Sequence, residues 1–274
     1  NIIDQNGVTS NIIINSTNNT RVVGTNEGDY IINSGTAVTI QGLGGNDYIA
    51  NNVDSSLVAA ELGNYIVGGS GNDTLYSFHS YNPTLLGGEG DDSVVVTRGH
   101  LTYIDGGAGN DTIIGKKDSG GWAMGGHATV LGGDGDDYIN VGYSNDSSID
   151  GGSGNDTIVG SGKNATINGG DGKNLIQIKL SEDVAGEYIV LSGNTSVKGF
   201  QSGFGEGTDT VYIPGDPAAV DFKSGGLTFY GESDSLTLSD VNTTAKVNLF
   251  HEKRDVLNKG VFIAAGDWYK VEDS

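Results

Sequence analysis

The sequence predicts an all-β chain that coils into a repeating solenoid. Glycine accounts for 47 of the 274 residues and proline for only 3. No collagen-like triplet runs through these glycines, so they indicate many tight turns. The segments between them are rich in Ile, Val, Thr and Tyr, whose branched and aromatic side chains favour strands. The hydrophobic fraction of 35% is sufficient for a solenoid, because stacked coils share a thin apolar interior.

A nine-residue pattern, Gly-Gly-x-Gly-x-Asp-x-U-x with U a large aliphatic residue, recurs along the chain. It covers residues 68–76, 87–95, 106–114, 132–140 and 151–159. Including weaker copies, the sixth position is occupied in turn by Asp29, Asp47, Asp73, Asp92, Asp111, Asp137, Asp156 and Asn174. Their intervals of 18 or 19 residues match one coil of two halves, and the two intervals of 26 match a coil with an insertion. We therefore expect the aspartates to stack along one edge.

Aliphatic residues accompany each turn at fixed distances. Those before the turns are Val22, Ile40, Ile66, Leu85, Ile104, Val130, Ile149 and Ile167, and those after them are Ile31, Ile49, Leu75, Val94, Ile113, Ile139, Ile158 and Ile176. Polar or aromatic residues alternate with them, which is the pattern of a strand with one buried face. Each coil is thus predicted to contain two short strands whose aliphatic side chains meet in the interior.

The strict repeat ends near residue 177. We interpret residues 1–177 as the solenoid, in which residues 1–23 form a degenerate first coil without an aspartate. Residues 178–274 are interpreted as a β-rich cap that contains degenerate repeats and a short helix near residues 252–258. A cap is expected because the last coil would otherwise expose its apolar interior and an unpaired strand edge.

The acidic turns predict a row of bound cations. With 14 basic and 35 acidic residues, the net charge is −21, which argues against a nucleic-acid partner. A calcium ion takes six to eight oxygen ligands, so one turn with one carboxylate requires help from its neighbour, and up to about six ions are expected. The predicted carboxylate ligands are Asp29, Asp47, Asp73, Asp92, Asp111, Asp137 and Asp156. The turn of Asp29 is the weakest candidate, because Glu27 replaces its fourth-position glycine.

Backbone carbonyls are predicted to complete the calcium sites. The glycines at the second and fourth positions bring the backbone close to an ion, where a Cβ would obstruct it. The predicted carbonyl ligands are those of Gly69, Gly71, Gly88, Gly90, Gly107, Gly109, Gly133, Gly135, Gly152 and Gly154.

The nonapeptide resembles the calcium-binding repeat of RTX proteins. The resemblance implies a right-handed parallel β-roll over about two thirds of the chain. It also implies a bacterial protein secreted by a type I system to the medium or the cell surface, where folding is coupled to calcium. RTX rolls commonly place the repeat on both edges. Here it occupies one edge only, so a second row of ions is not expected.

Catalytic signals are sparse, and we expect no enzyme. The chain has no cysteine and no G-x-S-x-G, and its four histidines lack zinc-protease spacing. Asp105, Asp118 and Asp150 are carboxylates outside the row without a catalytic pattern. No stretch of about 18 apolar residues predicts a membrane span.

The leading functional hypothesis is a structural or adhesive surface module, as in an adhesin or an S-layer, in which coils also join end to end between copies. One alternative is the accessory roll of a secreted protease, lipase, epimerase or pore former. The other alternative is a carbohydrate-binding module. Its glycan or protein contact would use the variable edge, where aromatic residues cluster: Phe78, Tyr81, Trp122 and Tyr143.

Overall fold

The computed structural model describes residues 9–52, 63–116, 126–161 and 165–178, together with short strands outside these ranges. Within this part of the chain every regular element is a strand, and none is a helix that could cross a membrane. The all-β prediction is confirmed.

The described strands contain two to six residues each. In chain order the first nineteen are β1 (Ile2–Ile3), β2 (Thr9–Ser10), β3 (Ile12–Asn15), β4 (Arg21–Val23), β5 (Tyr30–Asn33), β6 (Thr39–Gly44), β7 (Tyr48–Asn52), β8 (Tyr65–Ser70), β9 (Thr74–Phe78), β10 (Thr84–Glu89), β11 (Ser93–Thr97), β12 (Tyr103–Ala108), β13 (Thr112–Gly115), β14 (Thr129–Asp134), β15 (Tyr138–Tyr143), β16 (Ser148–Ser153), β17 (Thr157–Ser161), β18 (Thr166–Asn168) and β19 (Lys173–Ile178). They are followed by β20 (Tyr188–Val190), β21 (Asn194–Lys198), β22 (Asp209–Ile213), β23 (Ala219–Lys223), β24 (Gly226–Tyr230), β25 (Ser235–Ser239), β26 (Val247–His251), β27 (Val256–Asn258), β28 (Val261–Ile263) and β29 (Trp268–Val271).

The strands from β3 to β19 form two facing sheets. Odd-numbered strands build one sheet and even-numbered strands from β4 build the other. Every coil adds one strand to each sheet, and each strand pairs in parallel with the equivalent strand of the next coil. For example, Leu85 lies between Ile66 and Ile104 in register. This arrangement is the predicted parallel β-roll, with one coil for each interval between aspartates.

The interior contains the aliphatic residues that the repeat predicts. All sixteen predicted positions are buried, with Val22 6% exposed and each of the others at most 1% exposed. They form one continuous cluster along the roll. The register of the repeat thus determines which residues face inward, because side chains alternate between the two faces of a strand.

The edge opposite the aspartates contains a buried amide ladder at its N-terminal end. The Nδ2 of Asn15 donates to Oδ1 of Asn33, and the Nδ2 of Asn33 donates to Oδ1 of Asn51, both at 2.7 Å. The Nδ2 of Asn64 also donates to Asn51, which in turn donates to Ser80. This edge varies in length and composition in the sequence, yet its interior is ordered by side-chain hydrogen bonds.

The same edge has a backbone bend that recurs in six coils, three residues before the inward aliphatic residue of the even-numbered strand. The bend places non-glycine residues at a φ of 51–55°: Asn19, Ala37, Asn82, Leu101, His127 and Asp146. Left-handed backbone is uncommon for such residues. The connection therefore repeats in its backbone although its side chains differ.

Beyond residue 178 the two sheets continue before their pairing changes. β20 pairs in parallel with β18, and β21 pairs in parallel with β19. The later strands β24, β28 and β29 pair antiparallel with β25, β27 and β26. The short helix expected near residues 252–258 is wrong for Val256–Asn258, which is a strand paired with Val261–Ile263, while residues 252–255 lie outside the described part. The division of the chain at residue 177 stays a prediction.

We predict that Ile104→Ala lowers the free energy of unfolding of the calcium-loaded protein by about 2–5 kcal/mol, because Ile104 is fully buried between two sheets. Urea denaturation measures this loss. Tyr103→Ala is the control, since its ring is 36% exposed on the outer face. An equal loss in the two variants would contradict the assignment of the core.

Candidate metal centre

The seven aspartates of the repeat lie in turns that connect the two sheets. Residues 87–92, for instance, run from the end of β10 to the start of β11. All seven side chains are only 1–3% exposed. The structure therefore stacks them in one buried row, as the spacing predicts, and a buried row of carboxylates requires compensation of its charge.

One oxygen of each carboxylate is used by the backbone of the preceding coil. The N–H of Asp73 donates to Oδ1 of Asp92, and the N–H of Asp92 donates to Oδ1 of Asp111, both at 2.7 Å. The same bond recurs along the entire row, from Asn11 to Asn174, at 2.7–3.0 Å. This ladder fixes the orientation of every carboxylate and directs its second oxygen to a common side.

The second oxygen has no hydrogen-bond partner in six of the turns. The buried and unpaired Oδ2 atoms among the described residues belong to Asp47, Asp73, Asp92, Asp111, Asp137 and Asp156. Leaving such an atom without a partner costs the full desolvation of a charged group. Six equivalent atoms in consecutive turns point to a ligand that neutralises them.

A backbone carbonyl faces each unpaired Oδ2 across a small space. A Cβ placed on Gly87 would lie 2.3 Å from Oδ2 of Asp92 and 2.3 Å from the carbonyl oxygen of Gly106 in the next turn. The corresponding distances at the first glycine of the other five turns are 2.0–2.4 Å and 2.2–2.6 Å. Two oxygens that face each other with no proton donor between them suit a hard cation. The missing Cβ leaves the space for it, so these residues fit calcium.

The ten carbonyls predicted as ligands point along the roll. Those of Gly69 and Gly71 lie next to Gly88 and Gly90 of the following coil, where a Cβ would be only 1.9 and 2.4 Å away. That these carbonyls bind calcium stays a prediction. The carbonyl that the structure places beside each Oδ2 belongs instead to the first glycine of the following turn, which the sequence reasoning missed.

Burial is the main reason why the row is difficult to ionise without a cation. It raises the pKa of Asp47, Asp92 and Asp137 from 3.8 to about 7. The pKa of Asp73, Asp111 and Asp156 rises to about 6 for the same reason. The backbone hydrogen bond to each carboxylate partly offsets this effect. Neighbouring carboxylates of the row raise the pKa of Asp47, Asp92 and Asp137 further.

The turn of Asp29 differs from the other six. Its Oδ2 accepts a hydrogen bond from the N–H of Thr25 at 2.6 Å and lies 3.1 Å from the Thr25 hydroxyl. The predicted ligand role of Asp29 thus lacks the feature that the other turns share.

A second ladder of Asn and Asp side chains runs along the outside of the same turns. Their fifth positions hold Asn46, Asn72, Asp91, Asn110, Asp136 and Asn155. The N–H of Asp91 donates to Oδ1 of Asn72 at 3.0 Å, and the N–H of Asn110 donates to Asp91 at 2.8 Å. In this outer ladder the N–H of each turn donates to the side chain of the preceding turn, whereas in the carboxylate ladder it donates to the side chain of the following turn. The recurrence of Asn or Asp at position five was the sequence signal that would have revealed it.

The other predicted residues lie away from the row or outside the described part. Phe78 stacks on His79, and Tyr81 contacts His100. Trp122, Asp118 and the side chain of Tyr143 fall outside the described residues, so a contact with glycan or protein stays a prediction.

Two further carboxylates were singled out in the sequence outside the row. Oδ1 of Asp150 accepts hydrogen bonds from Gly152 and Asn168, which gives this side chain a structural role. Asp105 is half-buried, and burial raises its pKa. Within the described residues no three carboxylates or histidines gather around one point. A site here therefore combines a carboxylate with backbone carbonyls.

Comparison with known proteins identifies the same repeat in the sequence. Four copies of the RTX calcium-binding nonapeptide repeat match residues 61–77, 103–119, 122–147 and 150–177. No curated protein matches the chain significantly.

We predict that Gly87→Ala raises the calcium concentration needed for half-maximal folding by about tenfold or more, the scale seen when support of a metal ligand is lost. The new Cβ would occupy the space between Asp92 Oδ2 and the carbonyl of Gly106. Calcium titration followed by circular dichroism measures the change. Gly44→Ala is the control, because the nearest atom to its Cβ would be the Ser70 hydroxyl, at 3.1 Å, and no carboxylate borders it. Equal behaviour of the two variants would contradict the proposed position of the cation.

We also predict that the calcium-free protein loses stability as the pH rises from about 4 to about 7. The folded-state pKa values of about 6 to 7 lie above the value of 3.8. The stabilising contribution of protonation is therefore complete below about pH 4 and is lost as the pH rises through 6 to 7. Melting temperatures in a chelator measure the trend, with the calcium-loaded protein as the control. A chelated protein whose melting temperature is flat or rises over this range would contradict it.

Proposed function

Because this chain contains an RTX parallel β-roll with calcium-binding nonapeptide repeats, we propose that it is a calcium-clamped structural module of a secreted bacterial protein. RTX repeats are typical of such proteins. The observation that carries the proposal is the row of six buried carboxylate oxygens without a partner. Each of them faces the carbonyl of the next turn.

The protein's own residues prepare the place of each ion. The backbone ladder through Oδ1 orients the carboxylates, and the first glycine of each turn leaves room beside Oδ2. Bound calcium would supply the positive charge that lets all six carboxylates remain ionised at neutral pH. Since each space is bordered by two adjacent turns, binding would hold neighbouring coils together.

The proposed dependence on calcium supports a surface role. Extracellular calcium modules bind with dissociation constants of about 10⁻⁴ to 10⁻³ M. A roll of this affinity is destabilised by the repulsion between its carboxylates where calcium is scarce, and it folds where calcium is plentiful. The module would then be stiff outside the cell only. We propose that its role is to provide stiffness and display in an adhesin, an S-layer or a similar assembly.

The proposal assigns no catalytic role to the chain. Its support is that the buried carboxylate oxygens without a partner among the described residues all belong to the repeated row, with the same surroundings in six turns. Repetition over six turns suits a structural element, whereas an active site requires one distinctive group of residues.

We predict that the full chain, stripped of metal and then titrated with calcium, gains β circular dichroism cooperatively. In single-molecule pulling, it should unfold at a severalfold higher force with calcium than in chelator. Magnesium is the control, because it demands a small octahedral site and gives up its water reluctantly. If calcium produced no gain of structure, calcium binding would be wrong. If calcium folded the chain without raising the unfolding force, the structural role would be wrong.

A further inference from the structure

The first turn of the row contains its own hydrogen-bond donors. The carboxylate of Asp29 is oriented as in the other turns, since Oδ1 accepts the N–H of Asn11 at 3.0 Å. A Cβ on Gly24 would lie 2.4 Å from Oδ2 and 2.5 Å from the carbonyl of Gly42, so the space has the same shape as in the other turns. Thr25 nevertheless provides an N–H at 2.6 Å from Oδ2 and a hydroxyl at 3.1 Å.

The last turn of the row contains a donor of a different kind. Asn174 is 2% exposed and occupies the position of the aspartates. Its Oδ1 accepts the N–H of Asp156 at 2.8 Å, as an aspartate would. Its Nδ2 replaces the second carboxylate oxygen and donates to the carbonyl of Gly170 at 3.0 Å. An amide has both an acceptor and donors, whereas an ionised carboxylate has acceptors only.

At the two ends of the row, hydrogen bonds therefore take the place that a cation would fill beside the unpaired Oδ2 atoms of the six central turns. At one end Thr25 donates hydrogen bonds to the carboxylate oxygen, and at the other the side-chain amide of Asn174 supplies the donor. We infer that Thr25 and Asn174 close the row of calcium sites at its two ends. The ions then occupy only the six spaces that begin at Asp47 and end between Asp156 and the carbonyl of Gly169.

This inference rests on the proposed calcium binding and adds where the row of ions begins and ends. The terminal turns form their hydrogen bonds whether or not calcium is present, so the coils that contain them depend least on the ion. It also separates two groups of aspartates that share one spacing in the sequence. Asp29 is structural, and the six that follow are ligands.

The test counts the calcium ions bound to the full chain by native mass spectrometry after chelation and reloading. We expect about six ions in the natural chain, one for each unpaired Oδ2. Asp29→Asn should leave this number unchanged, whereas Asp92→Asn should lower it. Because these variants remove a carboxylate and create no new site, they test the inference even where a redesigned turn does not fold.

Two gain-of-site variants test the closing residues directly. Thr25→Gly combined with Glu27→Gly restores the repeat pattern around Asp29. It removes the hydroxyl and permits the positive φ of the second-position glycines in the strict repeats, whose N–H groups do not reach Oδ2. This variant should add one ion. Asn174→Asp should also add one ion. The matched controls should add none: Thr25→Ser with Glu27→Gly keeps the hydroxyl, and Asn155→Asp adds the same charge at the exposed fifth position.

The outcomes separate this inference from the proposed function. A natural chain that binds no calcium overturns both. A natural chain that binds calcium but loses an ion in Asp29→Asn overturns the closing of the row and leaves calcium binding intact. Folded gain-of-site variants with an unchanged number of ions also overturn it.

Discussion

The structure depends on one constraint, which is that every central coil buries a carboxylate oxygen with no donor. The two sheets stack coils at the spacing of hydrogen-bonded strands, about 4.8 Å. This spacing brings the aspartates into one row, in which Oδ1 of each carboxylate already accepts a backbone N–H. The aliphatic interior favours the stacking, while the remaining oxygens oppose it. The balance between them makes the fold responsive to a cation.

Both edges of the roll bury a ladder of polar side chains, but the side chains differ in whether they can donate hydrogen bonds. On one edge Asn33 and Asn51 bond to each other through amides, which donate and accept in turn, so the ladder is complete without any ligand. On the other edge the carboxylates only accept, and a complete ladder requires a positive partner. Burial is similar on both edges. The difference in donors, and not in depth, determines which edge binds an ion.

Sequence periodicity predicted a large part of this architecture. The sixteen inward aliphatic residues and the row of aspartates follow from a register that repeats for each coil, and all occupy the expected places. The helix expected near residue 252 was wrong because Val256 and its neighbours pair with a following strand. Propensity over a few residues does not anticipate such pairing. The buried amide ladder was also missed, although Asn15, Asn33 and Asn51 recur at intervals of 18 residues in β3, β5 and β7. Its further member Asn64 lies outside that interval.

The repeated spacing alone was enough to establish a parallel roll with one acidic edge, because residues that recur once per coil must stack when the coils stack. The spacing could not show which oxygen of each aspartate is free, or that the carbonyl of the following first glycine faces it. Glu27 marks the turn of Asp29 as different, but neither it nor the spacing shows that Oδ2 of Asp29 has its own donors. Those differences depend on donors that approach from Thr25 or from an adjacent coil. Only the folded chain brings such groups within hydrogen-bonding distance.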